Sequence, residues 1–289
     1  MQIGDYRVEI IPDTEFRLDG GAMFGVVPRV LWERVCPPDD RNRIHLNMNC
    51  VFIETPKERI LIETGIGEKW AAREIEIFGI RREKTLADSL FDITGCRPGD
   101  ISIVINTHLH FDHAGGNTIA ASPNEATGDT GLPEVIPQFE NARYLVSADE
   151  YEHAEKPHER DLASYRPENW RPLRENGQLE LMPNDYEAVP GLKVQTVRGH
   201  SETMQTWRLD RGGKTLYGFA DLVPTRHHLP SPWIAGFDLF PVETLRFKQE
   251  ILPRAARARW ICIFYHDPEH PLCRINDLDG KLFAEAVAL

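Results

Sequence analysis

The segment Thr107-His108-Leu109-His110-Phe111-Asp112-His113-Ala114-Gly115-Gly116 carries the densest chemistry in the chain, with four potential metal ligands in six residues. It directly follows a strand-like apolar run, Ile101 to Asn106. On extended backbone, side-chain direction repeats every second residue, so His108 and His110 point the same way and both imidazoles can reach one ion. Asp112 and His113 follow where the chain turns into a helix and can face a second ion beside the first. Gly115 and Gly116 let the backbone pack closely. A single histidine is usually an ordinary surface or half-buried residue, but the H-x-H-x-D-H spacing with only 11 histidines in the chain sets this segment apart.

Four residues cannot fill two coordination spheres, so further ligands are expected at the ends of other strands. Three candidates follow apolar runs: His200 after Lys193 to Val197, Asp221 after Thr215 to Phe219, and His266 after Trp260 to Phe264. Sites in α/β sheets form beyond the carboxyl ends of strands, where these residues fall. The expected arrangement gives one ion His108, His110 and His200, the other Asp112, His113 and His266, and makes Asp221 the bridge. Imidazole and carboxylate donors without thiolate suit two divalent ions, zinc first, with manganese, iron and cobalt as alternatives. Such a pair lowers the pKa of a bridging water towards neutrality and yields a hydroxide nucleophile.

The elements that must position these residues can be read from periodicity. Further strand-length runs occur at Tyr6 to Ile11, Met48 to Ile53, Arg59 to Ile62, Arg143 to Val146 and Thr206 to Leu209. Helical spacing marks Gly67 to Phe78, Thr85 to Ile93, Ser147 to Glu155 and Val242 to Ala258. Paired strands mixed with strand and helix alternation predict an α/β layered fold. Ser122 to Glu140, rich in Pro, Gly and acids, reads as a long surface loop, either a lid or an insertion. Arg17 to Asp40 reads as too irregular for a regular element, and is either a pocket wall or core packing.

The chain has 289 residues, 33 Lys and Arg against 45 Asp and Glu, and a formal charge of −12, which repels phosphate backbones and argues against nucleic acid as a partner. The charged residues among Met1 to Asp13 do not form a signal peptide, and no apolar stretch reaches membrane-spanning length, so no membrane partner is expected. Five scattered cysteines without a CxxC pair fit reduced thiols in the cytoplasm. No linker divides the chain, and residues 1–289 are expected to form one domain; whether it forms a homodimer is left open.

At His108-x-His110-x-Asp112-His113, followed in order by His200, Asp221 and His266, the sequence resembles the metallo-β-lactamase superfamily. The resemblance spans about Asn49 to His266. It implies an αββα sandwich: two mixed β-sheets face to face, helices on the outer faces, and a dinuclear site at one edge. Glu63-Thr64-Gly65 is similar to the family's early Asp-x-Gly turn, with Glu in place of Asp. Within the superfamily, the length and the segment Ala220 to Thr225 look most like the quorum-quenching lactonase and related esterase branch. Two features differ from that branch: Gly199-His200-Ser201-Glu202-Thr203-Met204 replaces its usual third-histidine motif, and no Tyr shortly follows Asp221.

The function expected is a dinuclear metal-dependent hydrolase in which a metal-bridging hydroxide attacks a small-molecule lactone or carboxylic ester, with Asp112 as ligand and proton shuttle. A phosphotriester hydrolase using the same centre, or a non-catalytic metal-binding protein of the same fold, are the alternatives. Tyr265 and His228 are candidates to reach substrate, and Met23, Phe24 and Trp32 to line an acyl pocket.

Overall fold

The computed structural model describes residues 1–121 and 134–287. Two seven-stranded mixed sheets form its centre. The first runs, in spatial order, Gln2–Ile3, Tyr6–Asp19, Arg43–Glu54, Arg59–Ile62, Ile103–Ile105, Arg143–Ser147 and Leu179–Met182. The second runs Asp185–Val189, Leu192–Thr196, Gln205–Arg211, Lys214–Gly218, Ile261–Ile263, Leu272–Leu278 and Lys281–Ala286. The four strands from Arg59–Ile62 to Leu179–Met182 pair in parallel, as do Lys214–Gly218 and Ile261–Ile263; the other neighbours within the two sheets are antiparallel.

Alternation along the strands explains the layering. Ile60, Ile62, Ile103 and Ile105 of the first sheet share one core with Leu216, Ile261 and Ile263 of the second, so the sheets bury these faces against each other. Leu61 and Val104 point the other way and pack under the helix Leu86–Thr94 through Leu86 and Leu90. Tyr217 and Cys262 do the same under Pro241–Arg257, which buries Ile251, Leu252 and Ala255. Helices therefore cover both outer faces, giving the expected αββα sandwich. The helix ends follow their sequence: Thr85 caps Asp88 N and Gly95 closes the same helix at φ 79°, while Pro241 starts the long one. No described helix is long and apolar enough to cross a membrane.

Some expectations change. The Gly67 to Phe78 helix begins only at Ala72. Arg17 to Asp40 is partly regular: strand to Asp19, then short helices Gly20–Phe24 and Arg29–Trp32. Of the surface loop read at Ser122 to Glu140, residues 122–133 lie outside the described residues, and Val135–Pro137 is a strand paired with Thr118–Ala120.

Candidate metal centre

All seven expected residues meet at one edge of the sandwich, each buried. His108 and His110 leave the strand Ile103–Ile105, Asp112 and His113 lie in the turn of helix Phe111–Ala114, and Asp221 lies in the turn after Lys214–Gly218. His200 follows Leu192–Thr196 and His266 follows Ile261–Ile263. The backbone ties the loops together: Gln205 N donates to Thr107 O at 2.9 Å, and His266 N to Pro224 O at 2.9 Å.

Two separate groups form, His108 with His110 and His200, and Asp112 with His113, Asp221 and His266, and Glu63 makes a third with His108 and His113; within each, the potential donor atoms lie within 4.8 Å of one another. His200 Nε2 stands 3.1 Å from His110 Nδ1. Asp221 lies between the groups. Its Oδ1 is 3.1 Å from both His113 Nε2 and His266 Nε2, and its Oδ2 is 3.5 Å from His200 Nε2. His108 Nε2 and His113 Nε2 are buried with no hydrogen-bond partner among the described residues. His113 Nε2 thus approaches Asp221 without hydrogen-bond geometry. Buried polar atoms left this way are costly unless another group satisfies them, and nitrogen lone pairs converging with carboxylate oxygens fit a divalent cation.

The outward edges of the imidazoles face polar partners. His200 Nδ1 meets Asp238 Oδ1 at 3.0 Å, and the other oxygen of Asp238 accepts from Thr244 Oγ1 at 2.6 Å. His113 Nδ1 faces Glu63 Oε1 at 3.3 Å. His266 Nδ1 lies 3.2 Å from Asn47 O, and His108 Nδ1 3.0 Å from Thr107 Oγ1. Glu63 also accepts from Thr107 N at 3.2 Å, so the Glu at the Asp-x-Gly position faces His113 and ties down the backbone that leads to His108 and His110. Glu150, fully buried, accepts from Leu109 N at 2.7 Å and from Tyr165 Oη at 3.1 Å, and takes the Thr203 hydroxyl on its other oxygen. Asp238 and Glu150 were not singled out from sequence, because neither stands in a motif or at a strand end.

Electrostatics follow the packing. Burial, reinforced by the imidazoles of His113 and His110, pushes His108 well below the ordinary histidine range. Burial opposes charge on His113, but Asp221, Glu63 and Asp112 outweigh it and raise that imidazole.

Glycine makes the close approach possible. A Cβ on Gly115 would lie 2.3 Å from Ile66 O, and one on Gly116 would lie 2.1 Å from Thr64 O. The turn after His113 is pressed against the loop after Arg59–Ile62, where Thr64 N donates to His113 O at 2.8 Å. Glu63 takes φ 64° and Ala220 φ 48°, left-handed values disfavoured for side-chain-bearing residues and found here beside the histidine and carboxylate cluster.

A cavity of about 420 Å³ opens onto His110, Asp112, His200, Asp221 and His266. Its walls are mainly apolar and include Leu18, Met23, Phe78, Phe111 and Phe237. Met23 is there as expected; Phe24, Trp32, His228 and Tyr265 do not line it. Phe24 is buried between Trp32 and His228, at ring separations of 5.5 and 4.6 Å. Tyr265 Oη is occupied by Trp207 Nε1 at 2.6 Å.

Sandwich and histidine-carboxylate cluster together define a class: residues 45–190 match the metallo-beta-lactamase superfamily, the chain belongs to it, and it is a metal-dependent hydrolase. Particular relatives narrow the comparison. The N-acyl homoserine lactonase of Bacillus cereus is 29% identical over 251 residues, spanning 79% of this chain and 84% of the relative. A probable metal-dependent hydrolase from Staphylococcus aureus superposes with a TM-score of 0.87 at 29% identity, over 100% of both chains. A dizinc quorum-quenching lactonase superposes with a TM-score of 0.76 over 100% of this chain and 97% of its own, and at 18% identity shares the fold.

Proposed function

We propose that the protein is a dinuclear hydrolase of lactones or carboxylic esters. The observation that carries this reading is the division of Asp221, one oxygen turned to His113 and His266 and the other to His200. His108, His110 and His200 would hold one ion, Asp112, His113 and His266 the other, and Asp221 both; the donor set suits zinc. Two such ions supply Lewis acidity that activates water and polarises a carbonyl.

The chain's own residues do the rest. Asp112 Oδ2 lies 3.6 Å from His266 Nε2, and Asp112 also lines the cavity. This position supports Asp112 as the group that would take a proton from the attacking water and return it to the leaving oxygen. The apolar wall accepts an acyl chain and limits water, which strengthens polar interactions inside. Names of curated relatives, the N-acyl homoserine lactonases, support a lactone substrate. The five cysteines, all free, support a reducing compartment such as the cytoplasm.

Metal analysis combined with turnover of a lactone, an aryl ester and a phosphotriester tests this reading. Close to two ions per chain, lactone or ester hydrolysis, and loss of both in His110→Ala are expected. Full activity after chelation and removal of metal would overturn it.

A further inference from the structure

Three arginines and two aspartates away from the ligand cluster line the cavity: Arg17, Arg43, Arg160, Asp19 and Asp161. Four of the five are committed elsewhere. Asp19 accepts from Ala22 N and Asn42 Nδ2, both at 2.8 Å, and Asp161 pairs with His153 at 2.8 Å. Arg43 pairs with Asp39 at 2.9 Å and donates to the carbonyls of Glu76 and Ile77 at 2.8 and 2.7 Å. Arg160 donates to Gly236 O at 2.8 Å. Arg17 is half-buried, and its guanidinium makes neither an ion pair nor a hydrogen bond among the described residues. Glu15, two residues before it on the same strand, is turned to His45 at 3.3 Å.

The stem of Arg17 is held in place. A Cβ on Gly79 would lie 3.1 Å from Arg17 Cδ and 3.4 Å from Arg43 Nη1, so both arginines crowd one glycine. Asp39 balances the charge of Arg43; nothing described balances that of Arg17. A cation partly withdrawn from water without a partner is unfavourable. It becomes favourable when a carboxylate arrives, because the planar guanidinium matches a carboxylate with two parallel hydrogen bonds.

Resting on the function proposed above, we propose that Arg17 recognises a substrate carboxylate separate from the carbonyl under attack. The substrates are then esters or lactones that carry one additional free acid group. A single negative charge fits better than a phosphate dianion, since Asp19 shares the wall and the chain carries a net charge of −12.

Two measurements on the metal-loaded protein test this. In turnover, the nitrophenyl monoester of hexanedioic acid is compared with nitrophenyl hexanoate. Wild type should favour the acid-bearing ester in kcat/KM by roughly tenfold to a hundredfold, the range of a charge-assisted hydrogen bond. That ratio should fall to near one in Arg17→Met and invert in Arg17→Glu. Equal rates for the two esters in wild type, or a ratio unchanged in Arg17→Met, would overturn the assignment. In calorimetry without turnover, hexanedioate should bind wild type more tightly than hexanoate, and Arg17→Met should remove the difference. Equal loss of hexanoate and hexanedioate binding in Arg17→Met would mean that Arg17 reads the carboxylate formed at the centre, which overturns the proposal. Because calorimetry needs no catalysis, a binding difference that persists while no ester or lactone is cleaved separates failure of the proposed function from failure of the Arg17 assignment. If Arg17→Met does not fold, Arg17→Lys takes its place, with a reduced ratio expected.

Discussion

Asp238 grips the Nδ1 edge of His200 at 3.0 Å from outside the ligand cluster, and Thr244 grips Asp238 in turn at 2.6 Å. The contact places the proton of His200 on Nδ1 and leaves the lone pair of Nε2 facing His110. Asp238→Ala should therefore weaken metal binding by roughly tenfold to a hundredfold, with Asp238→Asn intermediate. Competition against a chromogenic chelator measures this, with circular dichroism confirming that the fold is retained. Unchanged affinity in Asp238→Ala would show that His200 is oriented by other contacts.

The glycine seam makes a second, steric prediction. In Gly116→Ala the added methyl meets a backbone oxygen, Thr64 O, at 2.1 Å, which cannot swing aside as a side chain would. The turn bearing Asp112 and His113 must shift. Urea unfolding should show a loss of about 3 kcal/mol, and metal content should fall with it. A variant as stable as wild type that still carries its metal would contradict the close packing.

His228 gives a pH signature of its own. Burial, together with the charges of Lys248 and His227, lowers it from the ordinary 6.5 to about 3, against the Met23 carbonyl that its Nε2 meets at 2.9 Å. Between those values the unfolded chain binds a proton that the folded chain refuses, so this group's contribution to stability falls as pH drops through the window, by about 1.4 kcal/mol per pH unit. The stability difference between wild type and His228→Asn, followed by urea unfolding from about pH 6.5 down to about pH 4, should shrink at up to that slope. A difference that stays constant across the window would mean that His228 titrates normally in the folded protein.

The convergence of the clustered residues was legible because it rests on local rules: two-residue spacing on extended backbone for His108 and His110, and polar residues at the ends of apolar runs for His200, Asp221 and His266. Elements whose pattern is interrupted were harder to read. The strand Tyr6–Asp19 was expected to stop at Ile11, because its register shifts between Pro12 and Glu15 and the alternation breaks there. The hairpin Leu272–Leu278 with Lys281–Ala286 went unread, although Asp279-Gly280, both at positive φ, is a turn signal for it. Asp238 and Glu150 gave no signal, since each matters through a partner brought near only by the tertiary fold, and Arg17 stands out only because the fold leaves it without one among the described residues. Phe24 and Trp32 show the limit of composition: aromatic residues beside the cavity lie stacked in the core instead of facing it.

The clustered histidines and carboxylates come from loops at strand ends braced by the sheets, whereas Leu18, Ile77 and Phe237 belong to other segments that only frame the opening. Selectivity and reactivity are thus housed on separable hardware. Redesign can recast the entrance for a new guest while leaving the engine beneath it untouched.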